Sequence, residues 1–238
     1  MSSQHTVIAG GSSGIGLATA RLLLALGFKV TLTGRSEERL NAAKATLNGD
    51  VAAVAMDAAD ATRLGDVFGA IGRFDHLVLA FGSGKGSGPF ANVSLADVRQ
   101  GFEEKVFPHF ACAQAALPFL AKNGSITFIS AVTAHAAMPG TAGIGAANAA
   151  VAALVPILAN ELRPVRVNGV SPGVVDTPWW DFLSHEQKAP VFAEFAARTP
   201  VGRVGQPDDV ARAITFLITD TFMSGHTVIC DGGLRFAG

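Results

Sequence analysis

Short runs of aliphatic and β-branched residues alternate along the chain with longer stretches in which Ala and Leu recur at helical spacing. The apolar runs predict strands at 5–10, 29–34, 51–57, 76–81, 125–130, 165–170 and 227–230, and the longer stretches predict helices at about 15–27, 36–46, 60–72, 94–121, 142–162 and 207–219. The strands are almost continuously apolar, as strands covered on both faces are. The pattern therefore predicts one α/β domain: a doubly wound, Rossmann-type parallel sheet of seven strands with helices on both faces. No linker, charge run or longer repeat divides residues 1–238. Only residues 176–206 break the rhythm, with Pro178, Trp179, Trp180, Pro190 and Pro200. An irregular excursion of that length reads as a substrate loop or lid.

Composition narrows the classes. Hydrophobic residues make up 49% and charged residues 16% of the chain, which excludes disorder and predicts surface buried between copies, a homodimer or homotetramer. A net charge of −1 without a basic block argues against nucleic acid and anionic membrane as partners. The most apolar stretch, 146–159, is interrupted by Asn148 and Pro156, so no membrane span is expected, and no signal peptide is read at the N-terminus. Cys112 and Cys230 match no metal or redox spacing, which suits a reducing compartment and predicts a cytoplasmic protein. His109 and Cys112, one helical turn apart, have nothing nearby to complete a metal site.

The first strand runs directly into Gly10-Gly11-Ser12-Ser13-Gly14-Ile15-Gly16, which opens a helix. Glycines in that context let the backbone turn tightly and approach a pyrophosphate, whose charge is stabilised by free N–H groups at the helix start. Gly10, Ser12, Ser13, Gly14, Ile15 and Gly16 are the candidate cradle. The same letters fit a hydrolase nucleophile elbow on Ser12, a reading that gives Gly14 and Gly16 no purpose. Gly84-Lys85 lacks the upstream glycine and following hydroxyl of a phosphate-binding P-loop. At the end of the second strand, where an NAD-selective site carries an acid, stand Gly34, Arg35 and Ser36. The guanidinium fork of Arg35, with the Ser36 hydroxyl beside it, suits a 2′-phosphate and predicts NADP(H). The other reading of Arg35 is a solvated arginine at a helix start.

Taken together these residues resemble the short-chain dehydrogenase/reductase family, and the resemblance covers essentially the whole chain. The glycine loop fits the family's Thr-Gly-x-x-x-Gly-x-Gly with Ala9 in the Thr place. Asp57, with Ala58, resembles the family's acid beside the adenine ring. Val167-Asn168-Gly169-Val170-Ser171-Pro172-Gly173-Val174-Val175-Asp176-Thr177-Pro178 is similar to the family's nicotinamide segment, which implies cofactor contacts from Pro172, Gly173, Val175 and Thr177. Leu79-Ala80-Phe81-Gly82 stands for the family's Asn-Asn-Ala-Gly, implying contacts from Ala80 and Gly82. Gly202-Arg203-Val204-Gly205-Gln206-Pro207 and Cys230-Asp231-Gly232-Gly233 match later landmarks.

The resemblance also implies a catalytic Ser, Tyr and Lys with a supporting Asn, and here all four places differ. Ile144 stands for the Tyr, Asn148 for the Lys, Ala131 for the Ser and Lys105 for the helical Asn. The chain has no tyrosine at all. Ser130 faces the opposite side of its strand from Ala131, and His135 reads as an exposed loop histidine. Lys105 is the candidate catalytic residue: an inward ammonium there would fill space vacated at Asn148 and contact the cofactor. Its other reading is an exposed lysine beside Glu103 and Glu104. Two functions follow. One is an NADP(H)-dependent oxidoreductase acting on an enone- or quinone-like or other apolar substrate without tyrosine acid–base chemistry. The other is a non-catalytic NADP(H)-binding protein. Trp179, Trp180, Phe182, Phe192 and Phe195 fit an apolar or aromatic small-molecule substrate, or else ordinary core and interface packing.

Overall fold

Alternation of side chains along each strand divides the apolar residues between two layers. In the computed structural model, which describes residues 3–237, seven strands form one parallel sheet in the order β3-β2-β1-β4-β5-β6-β7. They are β1 (His5–Ala9), β2 (Lys29–Gly34), β3 (Val51–Ala55), β4 (Phe74–Leu79), β5 (Leu120–Ile129), β6 (Arg166–Pro172) and β7 (Thr227–Cys230). Val7, Leu77, Leu79, Ile126 and Phe128 face one side. Ile8, Val30, Leu32, Val78 and Val170 face the other. The first side is covered by α3 (Leu64–Ile71), α5 (Phe107–Ala116) and α6 (Ala142–Glu161) through Phe68, Cys112, Val151 and Val155. The second is covered by α1 (Gly14–Ala25), α2 (Glu37–Ala45) and α8 (Pro207–Thr219) through Leu23, Leu40, Ile214 and Leu217.

Strand order reverses between β1 and β4, which leaves a crevice above their carboxyl ends. The glycine loop lies at that mouth, where the Ala80 N–H donates to the Ala9 carbonyl at 2.7 Å.

Three expectations need correction. The helix read over 94–121 is α4 (Leu95–Gly101), one π-helical turn (Phe102–Val106) and α5, and it stops at Ala116 because Pro118 cannot continue it. Residues from Leu120 onward already belong to β5. The excursion 176–206 contains a helix, α7 (His185–Arg198), entered through a reciprocal cap between Ser184 and Gln187. Finally, α6 is long and apolar enough by length and composition to cross a membrane, with mean hydropathy 1.9, although its neighbours are β5 and β6. Pro156 lies inside this helix without ending it, and Gly169 of β6 makes room for the close approach of Val155.

Three buried histidines give the fold an acid sensitivity. His5 accepts or donates at Thr31 Oγ1 over 2.8 Å, and His76 Nδ1 meets Ser125 Oγ at 2.8 Å. Burial holds His76 down at about 4 and His109 at about 3, against an ordinary 6.5. Above pH 6.5 folded and unfolded chains alike keep these rings neutral; below it the unfolded chain takes up protons first, so stability falls. The loss should reach roughly 1–2 kcal/mol by pH 5 for each of His76 and His109. Urea unfolding at the two pH values checks this, and His76→Gln should flatten the slope. Equal stability at both pH values contradicts it.

Candidate active site

The crevice is floored by the glycine loop. The Gly10 and Gly11 N–H groups both donate to the Thr33 carbonyl, at 2.9 and 3.1 Å. Ser13 caps α1 without a side-chain bond, no acid lies in the first turn, and the N–H groups of Gly14, Ile15 and Gly16 have no partner among the described residues. A helix start in that state is an anion site. Gly10 has φ +84°, and a Cβ there would be driven into the Ala80 carbonyl; one on Gly16 would be driven into the Gly10 carbonyl. The cradle is thus bare backbone where a pyrophosphate would lie.

At the adenosine end, the Ser12 hydroxyl lies 3.7 Å from where a Gly34 Cβ would stand. Arg35 is exposed and makes no ion pair among the described residues. The Ser36 hydroxyl accepts from the Arg39 N–H at 3.2 Å, capping α2, so helix capping is a role the sequence reading did not give it. Asp57 is exposed and accepts from the Ala59 N–H at 3.0 Å, with Ala58 half-buried beside it. At the opposite end, Pro172 and Val175 are buried, Gly173 is half-buried, and the Thr177 side chain comes within 3.3 Å of the Gly14 Cβ position. The segment after β6 therefore closes over the glycine loop.

Lys105 is buried where a lysine is ordinarily exposed. Pro108 lacks the N–H that would close an α-turn onto Glu104, and its ring crowds that carbonyl, which accounts for the π-turn. The freed backbone is secured by His109, whose Nδ1–H donates to the Lys105 carbonyl at 2.7 Å. His109 is itself fully buried, 4.3 Å from the Phe81 ring and 6.1 Å from that of Phe128. Lys105 is only 5% exposed, and its Nζ lies 3.2 Å from the Gly82 Cβ position, at the crevice. It makes no side-chain hydrogen bond or ion pair among the described residues, and burial lowers its amine to about 8. The exposed-lysine reading does not hold. Glu104, by contrast, is exposed and held by Ser83 and Gln100, each at 2.6 Å.

Ile144 is buried at the start of α6, its N–H donating to the Gly86 carbonyl at 3.1 Å. The Asn148 amide donates to Thr133 Oγ1 and to the Ile144 carbonyl, both at 3.0 Å, and its Oδ1 is buried without a partner. Ala131 is half-buried, Ser130 Oγ is buried without a partner, and His135 is exposed. No three His, Cys, Asp or Glu residues cluster for a metal among the described residues.

The excursion carries one aromatic cluster. Trp180 donates through Nε1–H to the Val175 carbonyl at 3.1 Å and meets Trp179, Phe182, Phe192 and Phe195 at 4.8–6.1 Å between ring centroids. Lys188 ties α7 to Asp176 at 2.6 Å. Trp179 reaches across the crevice, its Cζ2 3.1 Å from the Gly84 Cβ position. The sequence marked the aromatics but had no signal for that contact.

A family model described as enoyl-(acyl carrier protein) reductase matches residues 9–235. A cis-4-hydroxycyclohexanecarboxylate dehydrogenase of Sinomonas cyclohexanicum is 32% identical, over 95% of this chain and 94% of that protein. A 3-oxoacyl-(acyl-carrier-protein) reductase of Chlamydia pneumoniae is 29% identical, over 98% and 97%. An NADPH-bound short-chain oxidoreductase of Pseudomonas aeruginosa PAO1, described as containing an atypical catalytic centre, is similar with TM-score 0.90 and 32% identity, over 97% and 96%. With the parallel sheet, the glycine cradle at the strand reversal and these likenesses along its length, the chain belongs to the short-chain dehydrogenase/reductase family of nicotinamide-dependent oxidoreductases.

Proposed function

We propose that the chain binds NADP(H) and reduces an electron-poor, apolar acceptor of the enone or quinone kind without tyrosine acid–base chemistry. The observation that carries this reading is Lys105: a buried amine with no partner at the crevice, where a developing oxyanion would find a cation. The reduced nicotinamide supplies hydride when bound. By the family's pattern Ile144, Asn148, Ala131 and Lys105 stand where Tyr, Lys, Ser and Asn are expected. Ile144 holds no proton and Ala131 no hydroxyl, so the acceptor must carry more of the driving force itself. The Pseudomonas oxidoreductase, with NADPH and an atypical centre, supports the assignment.

The cofactor's form rests on Arg35. A charge-assisted bond to a 2′-phosphate is worth about 1.5–3 kcal/mol, so Arg35→Ala should weaken NADPH binding about tenfold or more and leave NADH nearly unchanged. Calorimetric titration of both cofactors checks this; equal affinities for the unmutated protein overturn it.

One observation favours a non-catalytic reading: Gly86 packs on Ile144 and Trp179 on Gly84, so the chain itself fills part of the crevice. Stopped-flow oxidation of bound NADPH by enones and quinones separates the two, since a sensor leaves the cofactor reduced. In either case residues 176–206 serve as the lid over the apolar ligand. Phe107, Phe110 and Ile157, 53%, 50% and 59% exposed on α5 and α6, fit pairing with a second copy of this chain. Sedimentation at micromolar concentration should give a dimer or tetramer, and a monomer contradicts this. Two free thiols accord with a cytoplasmic setting.

A further inference from the structure

We propose that Lys105 is an imine-forming amine that captures α,β-unsaturated aldehydes, which gives the hydride-transfer reading, on which this inference rests, a defined substrate class. Four observations point there. The side chain is 5% exposed, and its amine has no hydrogen bond or ion pair among the described residues. A Cβ on Gly82 would stand 3.2 Å from the amine, so that residue places no side chain between the amine and the crevice. The charged groups around it leave it unopposed: Glu104 is turned to Ser83 and Gln100, Glu103 is exposed, and His109 beneath is held neutral by burial. Last, the π-turn and the His109 bond fix the Lys105 backbone in an orientation that buries the side chain.

Desolvation is how lysines become nucleophiles. With its amine near 8, roughly a quarter of Lys105 is unprotonated at pH 7.5, against about one part in a thousand for an ordinary lysine. The neutral amine adds to the aldehyde carbon, forming a C–N bond. The carbinolamine then takes a proton from solvent, loses its oxygen as water and leaves a protonated C=N conjugated to the alkene. The captured substrate is cationic, so its β-carbon accepts hydride without a proton donor at the oxygen, the group this crevice lacks. The electron pair moves to an enamine, water protonates the α-carbon, and hydrolysis returns the saturated aldehyde and the free amine. The sum is enal plus hydride plus proton giving saturated aldehyde.

The test needs no variant and no cofactor. The intact protein is incubated with cinnamaldehyde and cyanoborohydride at pH 7.5 and its peptides are mapped by mass. Loss of water distinguishes a reduced imine from conjugate addition to a thiol. Lys105 should be labelled at least tenfold faster than exposed Lys122 despite its burial; labelling that follows exposure, with Lys105 spared, overturns the proposal. NADPH titration of the same protein separates the failures. Binding without label at Lys105 removes the imine and leaves the hydride-transfer reading standing. Label at Lys105 without NADPH binding leaves the amine chemistry and removes that reading together with the substrate class drawn from it.

Discussion

Gly10→Ala should lose NADPH binding and destabilise the fold by about 2–5 kcal/mol. Two costs add. An L-residue held at φ +84° pays about 1–2 kcal/mol, and a Cβ driven into the Ala80 carbonyl forces a backbone shift worth about 1–3 kcal/mol. The shift cannot be local, because the Ala80 N–H is bonded to the Ala9 carbonyl and both strand ends shape the crevice. Gly16→Ala should behave alike, since its Cβ meets the Gly10 carbonyl. Gly65 is the control: it lies in α3 with open space around its Cβ position, so Gly65→Ala should gain up to about 1 kcal/mol and leave binding untouched. Urea unfolding and NADPH titration read both quantities. Undiminished NADPH affinity in Gly10→Ala would remove the loop as the pyrophosphate cradle.

Simple ketones, saturated aldehydes and secondary alcohols should turn over below about 1 s⁻¹, the lower end of ordinary enzymes. Positioned proton transfer contributes about 10²–10⁴-fold, and the chain has no tyrosine to supply it. Ile144 offers only carbon, Ala131 cannot orient a carbonyl oxygen, and Asn148 spends its amide on Thr133 and its own helix. Enones, enals and quinones lie outside this limit because the acceptor itself is electron-poor. The check is purified protein with NADPH across a carbonyl panel. Faster turnover of any simple ketone would mean that an acid has been overlooked, with Lys105 and then His135 the first residues to replace.

Strand positions were readable because burial on both faces leaves continuous apolar runs, and the glycine loop was readable because backbone collisions permit no other residue at Gly10 and Gly16. Other features required knowledge of neighbours. The Ala/Leu composition of 111–117 carried the helix reading past its true end, although Pro118 was a stop signal. Helix α7 is masked in the sequence by Pro190 and by its mixed surface, and the Ser184–Gln187 cap that opens it is a short polar signal without an apolar stripe behind it. At the site, Lys105 was marked by its place in the family's pattern, but its burial depends on Pro108 and His109 bending the helix, which periodicity does not encode. The contact of Trp179 with Gly84 joins segments far apart in sequence, and no local pattern announces it.

The aromatic cluster also makes this chain its own optical instrument. It has no tyrosine and only two tryptophans, so all of its indole emission arises at residues 179 and 180. Those rings stand edge-to-face 4.8 Å apart, close enough for their excited states to couple and give a paired signal in near-ultraviolet circular dichroism. Trp180 is pinned through its N–H to Val175, while Trp179 rests on bare backbone at Gly84, so a ligand entering between Trp179 and Gly84 would turn one ring against a fixed reference. Motion of residues 176–206 is thereby separable from motion anywhere else in the chain without a label.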